Sequence, residues 1–499
     1  MDSANLQFLK SPLTFLDHLT DPENTSVLKD YESWWLAEGV AISEAVDRAG
    51  TPGLRMFDQF GNRTDEILFQ PDYWKMLKRG YEAGAIWRAF EGESLRMHYL
   101  IDYVTCFFDA GLGCPYIVSL STAVPIKKYG TPELQQKFLS QLLLRGGSNW
   151  QGATWMTEVK GGSDLGANVE TVARKANRGS SPTVREGSIG SGDRWLLTGD
   201  KYFASNVGAE LAIVAARPEG APKTVQGVAL FLVPRYRDDG RLNYFIRRLK
   251  PKIGTRSVPT GEVELRDSEA YLLGKQEWGI YLILESLNLS RVGNIVGSVA
   301  LAQRALADAL TFAEQRVAFG KPIIEHPLLR RQFEERVAQL RHARALMWET
   351  IQLLDEVWQE KPRYSDRYHL FRLVTHLAKY WTAELAVQFA KWNMEVHGGM
   401  GVLSEYSAER WLREAMILPI WEGTPHRQML DGLEVMERKR AHEMLFAHLG
   451  PYADQTELQD ISARVDQHLR LSAEEREAGI EPIFRDLAEF TARVLANRE

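Results

Sequence analysis

The sequence predicts a mostly α-helical protein with a β middle domain, and three observations carry that expectation. Apolar residues recur at intervals of three and four over 292–317, 333–358 and 370–389. Between residues 151 and 274 this period gives way to short apolar runs broken by Gly, Ser, Thr and Asp. The first 150 residues return to helix-length segments, so the order is helices, sheet, helices. The expected domains are 1–150, an N-terminal helical domain; 151–275, a small antiparallel, β-barrel-like middle domain; 276–440, a four-helix bundle; and 441–499, a short acidic helical extension.

In chain order, helices are expected over 28–46, 95–108 and 116–128. A further helix opens at Thr131-Pro132-Glu133, with Thr as the cap and Pro at the first helical position. The clustered Trp34, Trp35, Trp74 and Trp87 are assigned to core packing. In the middle domain, strands are expected over 195–198, 202–205, 211–216, 227–233, 244–249 and 262–265, with 178–193 as an exposed hairpin loop. The bundle takes three helices from the apolar stripes, with a turn at 360–366. A fourth follows Thr424, placed as N-cap before Pro425. Residues 441–499 add two or three shorter helices, separated around Pro451 and Pro482.

At 499 residues, with 44% hydrophobic and 25% charged residues, the chain has the composition of a folded globular protein with sizeable cores. Its two cysteines, Cys106 and Cys114, form no C-x-x-C pattern, so neither a disulfide scaffold nor a cysteine-ligated metal is expected. No secretory signal is visible after Met1 and no run of about 18 apolar residues appears, which points to a cytoplasmic protein away from membranes. The net charge of −6 resides in the tail: residues 441–499 hold 12 Asp or Glu against 6 Arg. Such a tail repels phosphate backbones, which disfavours nucleic acid as its partner and leaves basic patches elsewhere open.

Two stretches carry chemistry. The segment His397-Gly398-Gly399-Met400-Gly401 must turn at the end of a helical stripe and lets another molecule approach its backbone. It is followed by Ile417-Leu-Pro-Ile-Trp421-Glu422-Gly423-Thr424-Pro425. A carboxylate among apolar neighbours has its charged form disfavoured, which raises it toward the range of a general base. Spacing alone leaves open whether Glu422 is a base or a half-buried acid beside an ordinary cap. The other stretch is Met156-Thr157-Glu158-Val-Lys160-Gly161-Gly162-Ser163-Asp164, whose amides and hydroxyls suit an acidic or heteroaromatic ligand. By itself this run is a weak signal, since a Gly-Gly-Ser-Asp sequence is more often a plain turn. It has neither the Lys-Ser/Thr ending of a P-loop nor the G-x-G-x-x-G of a Rossmann fingerprint.

Together the two stretches, with Arg316-Val-Ala-Phe319-Gly320-Lys-Pro, Glu405, Arg410, Glu414 and Trp421-Glu422-Gly423-Thr424, resemble the acyl-CoA dehydrogenase flavoprotein family. The wording Lys160-Gly-Gly-Ser-Asp, Leu249-Lys-Pro-Lys-Ile-Gly-Thr-Arg-Ser and Ile420-Trp-Glu-Gly, and the tail after residue 440, are most similar to its AidB-like (adaptive-response) branch. The resemblance implies FAD as cofactor and an acyl-CoA or related acyl thioester as substrate, with fatty acid metabolism as the setting. It further implies an electron-transfer flavoprotein as acceptor and a homo-oligomer, dimer or tetramer, with FAD shared across a subunit contact. By position, Glu422 would be the catalytic base and Arg291 would lie behind it. Met156, Thr157, Gly162, Ser163, Phe203 and Ser205 would meet the flavin ring. Arg316, Phe319, Glu395 and Gly399 would reach the pyrophosphate and adenosine of a neighbouring subunit's FAD, and Thr424 would lie near the cofactor of its own. Asn288 and Pro425-His426 depart from the common family pattern. The branch also implies an alternative in which the protein acts mainly by binding DNA or a fatty acyl ligand in a stress response. A flavin oxidase using oxygen is a further alternative.

Overall fold

A computed structural model describes residues 3–20, 22–176 and 194–498. The chain divides into two compact units, neither continuous in sequence: 1–37, 94–110 and 291–499 form one, and 38–93 and 111–290 the other. The expected loop at 178–193 lies outside the described residues.

The second unit is built on a sheet whose strands are β3 (Gly152–Trp155), β4 (Val172–Lys175), β5 (Arg194–Ser205), β6 (Leu211–Pro218), β7 (Ala229–Pro234), β8 (Phe245–Leu249) and β9 (Thr260–Leu272). Pairings β6–β4, β4–β5, β5–β9, β9–β7 and β7–β6 close on themselves, so the sheet is barrel-like; β3 adds to β6 and β8 to β9. Most pairs are antiparallel as expected, but β3–β6 and β4–β6 are parallel. The expected runs 195–198 and 202–205 are one strand, β5, because bulges between Leu197 and Gly199 and between Lys201 and Ala204 bend it without ending it. Trp155, Tyr244, Phe231, Val214 and Ile246 fill the interior.

The same unit contains a hairpin absent from the sequence-based expectation, β1 (Gly53–Phe57) with β2 (Arg63–Leu68), where a purely helical segment was expected. Its anchor is Asp65, whose carboxylate accepts from the Ile246 amide at 2.8 Å. The helix Gly113–Tyr129 covers the expected 116–128, and the Thr131 side chain caps the next helix by accepting from Leu134 N–H. The expected 28–46 helix is realised as Pro22–Trp34 and Val40–Ala49, joined by a widened turn at Trp35–Gly39.

The first unit is the bundle. Its four helices are Gly279–Gln315 (bundle helix 1, belonging to this unit from Arg291), Pro327–Val357 (2), Asp366–His397 (3) and Pro425–Lys439 (4). Helix 3 buries residues on nearly every face from Tyr368 to Phe389, including His376, Lys379 and Thr382. Among the described residues one stretch, Gln276–Gln315, is long and apolar enough to cross a membrane, and most of it is buried as in the central helix of a folded bundle. The helix Arg96–Phe108 packs in this unit, where Tyr103 Oη donates to Gln303 Oε1 at 2.7 Å.

The tail forms three helices, Ala441–Leu449, Gln455–Leu469 and Ala473–Ala496. Pro451 separates the first two as expected. Pro482 does not break the third: it lies inside Ala473–Ala496, where both it and Ala478, whose carbonyl loses its helical donor, are exposed to water. The break falls instead at Ser472, which forms a capping box with Glu475.

Candidate active site

In the bundle unit the loop between the short helix Ala408–Ala415 and bundle helix 4 turns its carbonyl groups inward onto side chains. Asn294 Nδ2 donates to Leu418 O at 3.1 Å, and Lys379 Nζ donates to Pro419 O at 2.7 Å and to Gly423 O at 2.6 Å. Arg291 Nε donates to Glu422 O at 3.0 Å, and Gln428 Nε2 to Glu422 O and Gly423 O at 3.1 and 3.0 Å. Three bundle helices thus grip the main chain on both sides of one residue. Glu422 itself takes a left-handed conformation, φ +57°, followed by Gly423 at +103°. A side chain at 423 would be strained by that φ and would meet Gln428 Nε2 at 2.8 Å, so glycine is required there. A glutamate held at positive φ is uncommon and is sustained by the surrounding bonds. The Glu422 N–H makes no hydrogen bond among the described residues.

The electrostatics follow from burial. Desolvation raises the half-buried Glu422 carboxyl from 4.5 to about 7, against the downward pull of the Arg291 and Lys379 charges. Burial likewise lowers Lys379 to about 7, helped by Arg291 and opposed by Glu422. Arg291 is buried and remains cationic; its Nη2 pairs with Asp431 Oδ2 at 3.0 Å, and Arg427 pairs with the same carboxylate. Asp431 therefore orients Arg291, which reaches the Glu422 loop through the carbonyl of that residue. His376 Nδ1 stands 2.9 Å from Gln428 Oε1 and orients that amide; burial drives the ring down to about 3, so it stays neutral. The carboxyl of Glu422 is thus an acid–base group poised at neutral pH on an immobilised backbone.

The residues that the resemblance assigns to a cofactor lie in both units. In the sheet unit, Met156 and Thr157 follow β3, and Phe203 and Ser205 end β5. The structure sets these pairs side by side: Tyr202 N–H donates to Thr157 O at 3.0 Å, and Trp155 Nε1 to Ser205 O at 3.0 Å. Phe203 leaves 53% of its surface exposed. Gly162 and Ser163 lie on the exposed turn beyond, and a Cβ at Gly162 would meet nothing within 4 Å. In the bundle unit, Arg316 and Phe319 lie on a hairpin (Val317–Ala318 with Lys321–Pro322), with Phe319 at its tip, φ +52° and 97% exposed. The His397 ring stacks on Phe312 at 4.2 Å, which brings the end of bundle helix 3, with Glu395 and Gly399, to the end of bundle helix 1. Glu395 pairs with Lys391 on its own helix, and Gly399 has open space around it. Thr424 is the N-cap residue of bundle helix 4, but its hydroxyl makes no capping bond. The open space at Gly162 and Gly399 and the exposed rings of Phe203 and Phe319 are, each in its own unit, features that suit parts of a flavin dinucleotide, which needs close backbone approach at phosphate and flat surfaces for its rings. His397 serves packing, its Nδ1 bonded to Asn393 O at 2.9 Å, and His426 is exposed.

Sequence reasoning missed the supports. Glu158 is not a ligand-facing member of its turn: it is buried, accepting from Lys201 Nζ, from Thr171 Oγ1 at 2.6 Å and from Glu170 N–H at 2.7 Å, and so holds the Gly-Ser turn to the sheet. Lys379, Gln428, Asn294 and Asp431 were equally unmarked. Their signal was a polar row at helical spacing, which also describes a solvated face.

The chain is similar in sequence and fold to known proteins. Residues 277–436 match the family profile "Acyl-CoA dehydrogenase, C-terminal domain", residues 153–268 "Acyl-CoA dehydrogenase, middle domain", and residues 10–146 "Adaptive response protein AidB N-terminal domain". The putative acyl-CoA dehydrogenase AidB of Escherichia coli (strain K12) is 29% identical over 443 residues, covering 85% of this chain and 76% of that protein. Acyl-CoA dehydrogenase family member 11 of Caenorhabditis elegans is 29% identical over 403 residues, covering 78% of this chain. The chain spans 63% of that worm protein, less than two thirds of its length. The solved structure titled "Bd2924 apo-form" superposes with a TM-score of 0.86 at 26% identity, covering 100% of this chain and 97% of that one. The middle and C-terminal profiles together match more than half of the chain, which belongs to the acyl-CoA dehydrogenase family of flavoproteins, and its N-terminal region is similar to that of AidB.

Proposed function

We propose that this protein is an FAD-dependent, acyl-CoA dehydrogenase-like oxidoreductase that introduces a double bond between the α and β carbons of an acyl thioester. The observation that carries the proposal is the state of Glu422, a carboxylate on a gripped loop with its proton affinity near neutrality. A group poised there is half ionised at working pH and takes a proton from a weak carbon acid more effectively than an ordinary carboxylate. The uncommitted Glu422 N–H is free to donate to the thioester carbonyl oxygen as negative charge develops there. Arg291 and Lys379 keep the carboxyl from rising further, so it remains available as a base. FAD, when bound, accepts the hydride that leaves the β carbon. Reoxidation by an electron-transfer flavoprotein and a dimeric or tetrameric assembly complete the proposal. The 97% exposed Phe319 beside Arg316 supports a subunit contact there.

The test is anaerobic mixing of the FAD-loaded protein with acyl-CoAs of graded chain length. Bleaching of the flavin with at least one of them, and none with Glu422→Gln, is expected; bleaching by the Gln variant would remove Glu422 as the base.

The AidB-type N-terminal region favours a second reading, in which the same fold retains an acyl ligand or DNA without turnover. Flavin that stays oxidised with every acyl-CoA, together with a duplex-DNA gel shift that weakens with salt, would select it.

A further inference from the structure

We propose that Lys379 is the positioning residue of the base: its buried ammonium ties the two ends of the Pro419–Gly423 loop together and so fixes where the Glu422 carboxyl points. The assignment rests on Glu422 being the base.

Three observations carry it. Lys379 is 1% exposed in the middle of bundle helix 3, where a lysine is expensive to bury and a methionine would fill a similar volume. Both of its hydrogen bonds go to main-chain carbonyls, Pro419 O at 2.7 Å and Gly423 O at 2.6 Å, lengths typical of charge-assisted donors. Neither goes to a carboxylate, so it acts on the backbone. Asn294 donates to Leu418 O at one end of the loop, Arg291 to Glu422 O and Gln428 to the carbonyls of 422 and 423 at the other. Lys379 donates to both ends, at Pro419 O and Gly423 O. The Pro419 carbonyl has no second donor among the described residues.

The geometry has a mechanical consequence. Glu422, held at a left-handed φ of +57° that is costly for a non-glycine residue, relaxes toward an ordinary backbone conformation unless the ends of the turn are held. Releasing Pro419 O would leave that side of the turn held by Asn294 at Leu418 O and would cut its tie to Gly423. There is an electrostatic consequence as well. The charged and titratable groups around the site are Arg291 from bundle helix 1, Arg372, His376 and Lys379 from helix 3, Arg427 and Asp431 from helix 4, and Glu422 on the loop. Of these, Arg291 and Lys379 lower the proton affinity of Glu422. Removing Lys379 leaves Arg291 alone in that role.

The experiment compares wild type, Lys379→Met and Lys379→Gln, all FAD-loaded, by hydrogen exchange and by anaerobic flavin reduction with a saturating acyl-CoA. In Lys379→Met, amides of residues 417–424 are expected to exchange about ten-fold faster or more, with the rest of the bundle unchanged. The limiting reduction rate should fall about ten-fold or more while the apparent Kd for the thioester stays within about three-fold. The pH midpoint of that rate should move upward. Lys379→Gln, which restores a donor, should recover part of the protection and rate, and it carries the test if the Met variant does not fold. Wild-type exchange in 417–424, or faster exchange with an unchanged rate and midpoint, overturns the role of Lys379. Flavin reduction persisting in Glu422→Gln is a different result and overturns the base itself.

Discussion

Glu422→Gln should change stability as well as chemistry, and in a pH-dependent way. The folded protein holds the Glu422 proton at about 7, against 4.5 for an ordinary carboxyl. Between these values the native state therefore binds more protons than the unfolded chain. The stabilisation this provides is complete below about 4.5 and is lost as pH rises through about 7. At about 1.4 kcal/mol per tenfold change in proton affinity, the full gap is worth about 3 kcal/mol. A glutamine cannot ionise, so it escapes the cost of burying the charge at high pH. The value of about 7 already contains the pull of Lys379, and part of the gap falls below pH 5, so about 2–2.5 kcal/mol of it appears between pH 5 and 8.5. Urea unfolding of wild type and variant at a series of pH values from 5 to 8.5 measures this directly. The difference should be small at the acid end and grow in favour of Gln by about 2 kcal/mol at the alkaline end. A difference that stays flat across the series would refute the claim that desolvation poises this carboxyl.

Further expectations follow from the same geometry. The rate of flavin reduction should rise about ten-fold between pH 6 and 8, because the base goes from about one tenth to about nine tenths ionised around a midpoint near 7; stopped-flow across that range checks it. Arg291→Met should lose about 3 kcal/mol of stability in a thermal or urea melt, since it breaks a buried pair, and should move the midpoint of the reduction rate upward. Phe203→Ala should leave the apo protein within about 0.5 kcal/mol of wild type, because the ring is half exposed, yet release FAD more readily in a fluorescence assay. Glu158→Gln should destabilise by about 3–5 kcal/mol because it strands the Lys201 ammonium inside the sheet, and Glu158→Gln combined with Lys201→Met should recover most of the loss in the same melt.

The order of helices, sheet and bundle was legible because periods of 3.6 and 2 are written into which residues are apolar, and the long stripes of 292–389 leave little room for another reading. Glu422 was legible for a local reason, a lone acid among Ile417, Leu418, Pro419, Ile420 and Trp421 just before a helix cap. Lys379 was not. It shares a helical row with Thr375, His376 and Thr382, and such a row reads as a surface stripe until the structure shows it facing carbonyls. The β1–β2 hairpin escaped because its strands are short and half exposed, so alternation is weak. Pro482 misled because a proline missing one hydrogen bond is tolerated where water reaches the orphaned carbonyl.

The grips on the loop before bundle helix 4 all close on peptide oxygens, and none on the glutamate's own carboxylate. Scaffold and reagent are therefore separable by mutation. A descendant carrying glycine or asparagine at position 422 would adopt the left-handed backbone more comfortably and keep every one of those bonds. Such a protein would preserve its architecture while losing the proton abstraction proposed for Glu422. An ancestral catalyst of this design could thus drift into a pure receptor through a single codon, and the identity of that one side chain is the first thing to read when a related chain is assigned to one role or the other.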